Sequence, residues 1–325
     1  MANYLVFNGD ADGLCAAQQL RLAGFAPDRV VTGVKRDIAL LDRVEAGAGD
    51  EVSVADISLD SNRAPLMRLL DAGARVAWHD HHFAGEIPAH ARLVAHIDMS
   101  PSTCSSLIVD GLLGGRFRPW AVAAAYGDNL HEAAHAAALA AGIGAADEAA
   151  LREFGELVNY NAYGESEADL CLPPSALFKR FAAFADLREL LAAEPELMAR
   201  LRDCHAGDLA RAQALVPMQL HDAPCGVACY VLPDEPWARR VNGVFANELA
   251  RAHPERAHAV LVAGERDGVP GYMVSLRAPS VRPAGADAVC RQFVSGGGRA
   301  RAAGINWLPQ GDLPRLGQLL AAAYP

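Results

Sequence analysis

Three runs of metal-ligand side chains each follow an apolar, strand-like run in this chain. Asn8 and Asp10-Ala11-Asp12-Gly13 come after Tyr4-Leu5-Val6-Phe7, Asp56 comes after Glu51-Val52-Ser53-Val54-Ala55, and Asp80-His81-His82 comes after Arg75-Val76-Ala77-Trp78. Side chains just past the carboxyl ends of strands in an open parallel sheet converge on one crevice, so these distant segments can meet. Carboxylate and imidazole donors together suit a hard or borderline divalent cation. Asp128, which ends the apolar stretch Trp120 to Gly127, raises the carboxylates at Asp10, Asp12, Asp56 and Asp128 to four. Carboxylates within about 4 to 6 Å of one another repel, and one would take up a proton unless cations compensate. Two divalent ions would balance four such charges, so the cluster predicts a two-metal site.

The elements that must position these groups alternate through the first half. Residues 4–7, 30–34, 51–55, 75–78 and 92–97 read as strands, and 13–23, 37–46 and 64–72 as helices, the first ended by Gly24. This pattern predicts a parallel sheet with helices on both faces. Ser102 or Thr103 would cap a helix containing Leu107 to Leu113. From 119 to 215 the pattern is helical, with an alanine-rich stretch that serves as a helical connector. Within it His131-Glu132-Ala133-Ala134-His135 matches the zincin string His-Glu-x-x-His, but no recognisable motif supplies a third ligand, so the metal is expected at the strand ends instead.

Pro217, Asp222 and Pro224 interrupt the helical pattern, which places a linker at 216–224 between a first domain, 1–215, and a smaller mixed α/β domain, 225–325. Strands at 226–232, 258–263 and 271–277 and helices at 238–252 and 286–293 lead to the run Gly296-Gly297-Gly298-Arg299. Successive glycines let a backbone approach a ligand closely and turn amides toward an anion. Composition agrees with two domains: 325 residues exceed the usual single core, and 52% hydrophobic residues can fill two. A formal charge of −10 opposes non-specific grip on a long polyanion. The seven cysteines include no Cys-x-x-Cys pair; Cys225 and Cys229 lack a matching pair and read as structural, so reduced thiols and a cytoplasmic location are expected. The amino terminus has no basic leader and no apolar run reaches about 18 residues, so no membrane insertion is expected.

Taken in order, the motifs resemble those of the DHH phosphoesterases, which include RecJ-type exonucleases, nanoRNase-type oligoribonucleases, cyclic-dinucleotide phosphodiesterases and manganese-dependent pyrophosphatases. Asp10-Ala11-Asp12-Gly13 resembles the first motif, Asp56 the second, Asp80-His81-His82 the third and Asp128 the fourth. Gly296-Gly297-Gly298-Arg299-Ala300-Arg301-Ala302-Ala303-Gly304 resembles the Gly-Gly-Gly-His-x-x-Ala-Ala-Gly signature of the small domain in nucleotide-cleaving members, and Met273 to Arg277 resembles the strand before it. The chain departs at Asn8, where the family has His or Asp, and at Arg299, where it has His.

The resemblance implies a phosphoesterase that hydrolyses phosphodiester bonds of short oligonucleotides or small nucleotides by in-line attack of an activated water, with substrate across an interdomain cleft. It implies two divalent ions, manganese by preference with magnesium or cobalt as alternatives. Asp10 and Asp12 would each ligate a different ion, Asp56 would bridge both, His81 and Asp128 would complete the second ion's shell, and Asn8 would be a weak ligand of the first. His82 would contact the scissile phosphate with Asp80 supporting it, and Arg277, Gly296, Gly297, Gly298 and Arg299 would bind substrate. His79 and His96 are expected to be structural. Phosphoanhydride hydrolysis and a catalytically degenerate nucleotide-binding protein are the alternatives. No long duplex nucleic acid is an expected partner, and a homodimer is left open.

Overall fold

The computed structural model of the chain describes residues 1–218 and 226–325. Two compact units are formed, Met1–Cys204 and His205–Pro325. The division falls inside a helix ahead of the expected linker, most of which, like Cys225, lies outside the described residues.

In the first unit, β1 (Asn3–Phe7), β2 (Arg29–Val31), β3 (Glu51–Ala55), β4 (Arg75–Asp80) and β5 (Leu93–Ile97) form a parallel sheet in the order β2-β1-β3-β4-β5. The direction in which strands are added reverses between β1 and β3, the point at which α/β folds open a crevice. The period-two alternation of β1 explains the layers. Leu5 and Phe7 enter one core with α1 (Ala11–Leu22) and helices that follow the sheet, whereas Tyr4 and Val6 enter another with Leu66, Leu69 and Leu70 of α2 (Arg63–Asp71). Trp78 and Trp120 are fully buried.

The helical part comprises α3 (Ser105–Leu112), α4 (Arg118–Gly127), α5 (His131–Ala140), α6 (Ala145–Asn161), α7 (Pro174–Phe181), α8 (Leu187–Ala193) and α9 (Pro195–Gln213). α4 packs close to its neighbours through glycines. A methyl on Gly155 of α6 would lie 1.9 Å from the Ala123 carbonyl oxygen, and one on Gly127 would lie 2.6 Å from Ala11 Cβ of α1.

Two local expectations are corrected. The helix expected at 37–46 is only a 3-10 turn, Leu40–Arg43. Side chains from elsewhere compete for its backbone: Asn62 donates to the Ile38 carbonyl and accepts from Leu41 N–H, while Arg68 donates to the Val44 and Leu41 carbonyls. α3 begins after Cys104, not at a Ser102 or Thr103 cap, because a carboxylate from α1 takes over the capping. The expectation of uniformly reduced thiols is also corrected, since Cys171 and Cys204 are joined as a disulfide, while Cys15, Cys104, Cys229 and Cys290 are free and buried.

The second unit is a mixed sheet of β6 (Val227–Leu232), β7 (Ala257–Arg266), β8 (Val269–Arg277), β9 (Gly296–Arg299) and β10 (Ala302–Pro309), ordered β6-β7-β8-β10-β9. α10 (Pro236–Ala252) covers one face, and α11 (Ala286–Cys290) with α12 (Leu313–Ala323) the other. No helix among the described residues is long and apolar enough to cross a membrane.

Candidate metal centre

Asp10 caps α1: its Oδ1 accepts from the Gly13 N–H at 3.1 Å. Glycine is required at 13 because a Cβ would lie 2.2 Å from the Asn8 carbonyl oxygen. Asp12, in the first turn of α1, points across to α3. Its two oxygens accept from the Ser105 and Ser106 N–H groups, each at 2.7 Å, where the positive end of the helix dipole favours a carboxylate.

β3 ends at Ala55, and Asp56 takes φ of 59°, a left-handed conformation that a non-glycine residue adopts only when its surroundings fix it. Asp56 N–H donates to the His79 carbonyl at 2.9 Å, and Ser105 Oγ donates to Asp56 Oδ1 at 3.1 Å. These bonds aim the carboxylate at the crevice. His81 Nε2 lies 3.5 Å from Asp56 Oδ1, 3.6 Å from Asp128 Oδ2 and 4.0 Å from Asp12 Oδ2. His82 Nδ1 sits 2.7 Å from Asp80 Oδ1 and 3.8 Å from Asp56 Oδ1. The hydrogen bond to buried Asp80 raises the His82 pKa above its ordinary value despite partial desolvation.

Asp128 follows α4 and is pushed up to about 7 by burial and by the charges of Asp12 and Asp10, with Lys35 acting the other way. Burial, with the charges of Asp10, Asp12 and Asp128, drives the Asp56 carboxyl well above the carboxylate range. Asp10 goes down. Burial alone would raise it, but the charge and hydrogen bond of Lys35 outweigh that. Burial and mutual repulsion thus favour protons on Asp56 and Asp128, the repulsion that motivates a metal.

Lys35 is the member of this cluster that sequence reasoning passes over. It lies just beyond β2, where the same strand-end rule applies, but a lysine is not a metal ligand. Its Nζ reaches Asp10 Oδ2 at 2.5 Å, Asn159 Oδ1 at 2.8 Å and Asp128 Oδ1 at 3.4 Å. Desolvation opposes its charge, yet Asp10 and Asp128 raise its pKa well above the usual value. Asn8 lines the same cleft, but its Nδ2 donates to the Lys35 carbonyl at 3.0 Å and its Oδ1 accepts from the Asp10 N–H at 3.3 Å.

The donor set fits a divalent ion. One oxygen or nitrogen from each of Asp12, His81 and Asp128, and likewise from Asp56, His81 and His82, lie within 4.8 Å of one another. Of these, Asp56, His81, His82 and Asp128 line a cleft of about 290 Å³ together with Asn8, Asp10 and Lys35. The zincin-like string does not form a centre among the described residues: His135 bonds Glu148 at 2.8 Å and the His131 ring packs against Tyr126. His79 is buried, bonded to the Val54 carbonyl and stacked on His96, and burial lowers its pKa to about 4.

In the second unit the glycine run forms edge strand β9, not a free loop. Gly296 and Gly298 are required by packing, since a Cβ would lie 1.7 Å from the Cys290 carbonyl oxygen at the first and 2.5 Å from Ala303 Cα at the second, whose φ is 137°. Gly297 has open space there. Arg277 on β8 pairs with Ala302, and Ala302 with Arg299, so the three side chains share one sheet face. Arg277 is tied to Asn247 Oδ1 at 2.7 Å and to the Gly243 carbonyl at 3.4 Å; Arg299 is exposed and has no hydrogen bond or ion pair among the described residues.

Solved structures share this architecture across almost the whole chain. A RecJ exonuclease bound to manganese superposes with a TM-score of 0.63 at 18% identity, covering 98% of this chain and 89% of that one. The chain has the RecJ fold. RecJ from Thermus thermophilus in complex with Mn2+ gives 0.64 at 18% identity over 98% of this chain, which spans 51% of that one. The pGpG-specific phosphodiesterase PggH from Vibrio cholrae gives 0.55 at 14% identity, covering 99% and 98% of the two chains. The resemblance to the DHH phosphoesterases thus holds at the level of fold, in both the parallel sheet with its flanking helices and the second mixed sheet. No family model and no curated protein matches the chain.

Proposed function

We propose that this chain is a DHH-type, divalent-metal-dependent phosphoesterase that hydrolyses phosphodiester bonds in short oligonucleotides or small nucleotides. The observation that carries this reading is the convergence of Asp10, Asp12, Asp56, His81, His82 and Asp128 near the β1/β3 reversal point, with Asp10, Asp12 and Asp56 held by helix-end and backbone hydrogen bonds and His82 by Asp80. The manganese in the RecJ structures and the dinucleotide named for PggH point the same way. A divalent cation, manganese by preference, would supply an acidified water and stabilise charge on phosphoryl oxygens. Asp12, Asp56, His81 and Asp128 would hold it. His82, its pKa raised by the hydrogen bond to Asp80 and its side chain nearly half exposed, would donate to a phosphate oxygen when protonated. The sheet face of Arg299, Gly297 and Ala302 would bind a further phosphate.

The test is nucleotide release from a linear dinucleotide such as pGpG, beside cyclic dinucleotides, 3′,5′-bisphosphonucleosides and polyphosphate, with manganese and with EDTA. Catalytic turnover of the dinucleotide that EDTA removes and that is lost in Asp56→Asn is expected. Release from polyphosphate alone, or binding without turnover, would overturn the reading.

A further inference from the structure

We infer that the metal centre holds a single divalent ion, around His81 Nε2, and that the Lys35 ammonium stands beside Asp10 where a second ion would be. This rests on the proposed metal-centre reading and departs from the two-ion expectation for four clustered carboxylates. The carboxylates divide their oxygens between two points. Asp56 Oδ1, Asp128 Oδ2 and Asp12 Oδ2 lie 3.5, 3.6 and 4.0 Å from His81 Nε2. Asp10 faces the same cleft and contacts the Asp56 carboxyl, but its oxygens are engaged, Oδ1 by Gly13 N–H and Oδ2 by Lys35, and Asp10 belongs to none of the metal-ligand groupings among the described residues. Asp128 serves both points, with Oδ1 on Lys35 and Oδ2 toward His81.

Lys35 is built into this position. An ammonium has three hydrogens, and Asp10, Asn159 and Asp128 provide three acceptors. Asn159 donates its Nδ2 to Tyr163 Oη at 3.1 Å, which leaves its oxygen for the ammonium. The lysine backbone is held at both ends, by N–H to the Ala162 carbonyl at 2.9 Å and by its carbonyl to Asn8 Nδ2 at 3.0 Å. Asn8 therefore acts on this point by positioning Lys35. A divalent ion at Asp10 would have to displace these bonds and face a positive charge at contact distance. An ammonium neutralises Asp10 but has no site for a water, so water activation is confined to the ion at His81.

The experiment counts ions in the full chain. Metal-free protein is dialysed against manganese, the metal per chain is measured by elemental analysis, and the bound manganese is examined by electron paramagnetic resonance. One manganese per wild-type chain with an uncoupled spectrum is expected. Lys35→Met should take two, with the spectrum of a coupled pair, while Lys35→Arg keeps one. A wild-type chain with two coupled ions overturns the inference, as does a folded Lys35→Met chain that still takes one. Should Lys35→Met not fold, the wild-type count decides alone. A wild-type chain that takes no manganese overturns the metal-centre reading itself, and the inference with it.

Discussion

Arg277 and Arg299 lie two strands apart on one face of the second sheet, about 10 Å from each other by the usual strand spacing. Only one of them is uncommitted. Arg277 fastens β8 to α10 through Asn247 and the Gly243 carbonyl, so its loss would loosen the unit as well as any ligand contact. Arg299 is exposed, with Ala302 and Gly297 leaving room beside it. A guanidinium so placed can grip a phosphate bidentately. Arg299→Ala is therefore expected to weaken dinucleotide binding by about 1.5 to 3 kcal/mol, the range for hydrogen bonds to charged groups, while the melting temperature and the manganese bound per chain stay as in wild type. Substrate saturation curves beside a manganese titration would check it, and an unchanged KM would remove Arg299 from the substrate site.

α4 carries Asp128 at its end and α6 carries Asn159, so the spacing of these two helices sets where Lys35 and the Asp128 carboxylate sit. That spacing depends on Gly155, whose Cβ position lies 1.9 Å from the Ala123 carbonyl. Gly155→Ala must push the helices apart, and overpacking of this kind costs about 1 to 3 kcal/mol. Weaker manganese binding should accompany the lower melting temperature, because Asp128 moves with α4; a variant that loses stability but binds manganese as wild type would show the two to be uncoupled. At this scale the sequence is read best where local pattern and tertiary structure agree. β1, β3 and β4 are apolar runs, and Asp10, Asp56 and Asp80-His81-His82 stand at or just past their ends, so the placing of these side chains in one crevice is legible from strand ends alone. Where a distant side chain takes over a backbone group, the local pattern misleads. Asn62 and Arg68 dissolve the helix expected at 37–46, and Asp12 replaces Ser102 or Thr103 as the cap of α3. Lys35 lies within reach of the strand-end rule, yet its partner Asn159 sits on a helix 124 residues away and leaves no local trace.

Across the molecule the formal charge is −10, and the metal centre gathers four carboxylates in one place, so protons and cations compete there. In the metal-free chain Asp128 titrates at about 7 against 3.8 for a free carboxyl, and Asp56 is driven well above that range by burial and its acidic neighbours. Between its unfolded and folded values each group holds a proton in the folded state that the unfolded chain has lost, so stability falls as pH rises. His82 works in the same direction: its pKa is raised by Asp80, so its contribution is complete below its unfolded value of 6.5 and is lost above its folded one. His79 works the other way, since its pKa is lowered to about 4, but that contribution is nearly complete above 6.5. From pH 6.5 to 8.5 the acidic cluster and His82 therefore dominate, with the buried thiols Cys15, Cys104 and Cys290, whose pKa values burial raises, adding a fall of the same sign only toward the upper end. Over this window the melting temperature of the metal-free protein should fall, and Asp128→Asn should fall less. Manganese binds the deprotonated ligands and releases their protons, so the stabilisation it adds should grow over the same window. Thermal melts with EDTA and with manganese at pH 6.5, 7.5 and 8.5 test both signs together. A metal-free melting temperature that stays level or climbs would mean that the carboxylates at His81 are already compensated, and the repulsion that calls for a divalent ion there would be absent.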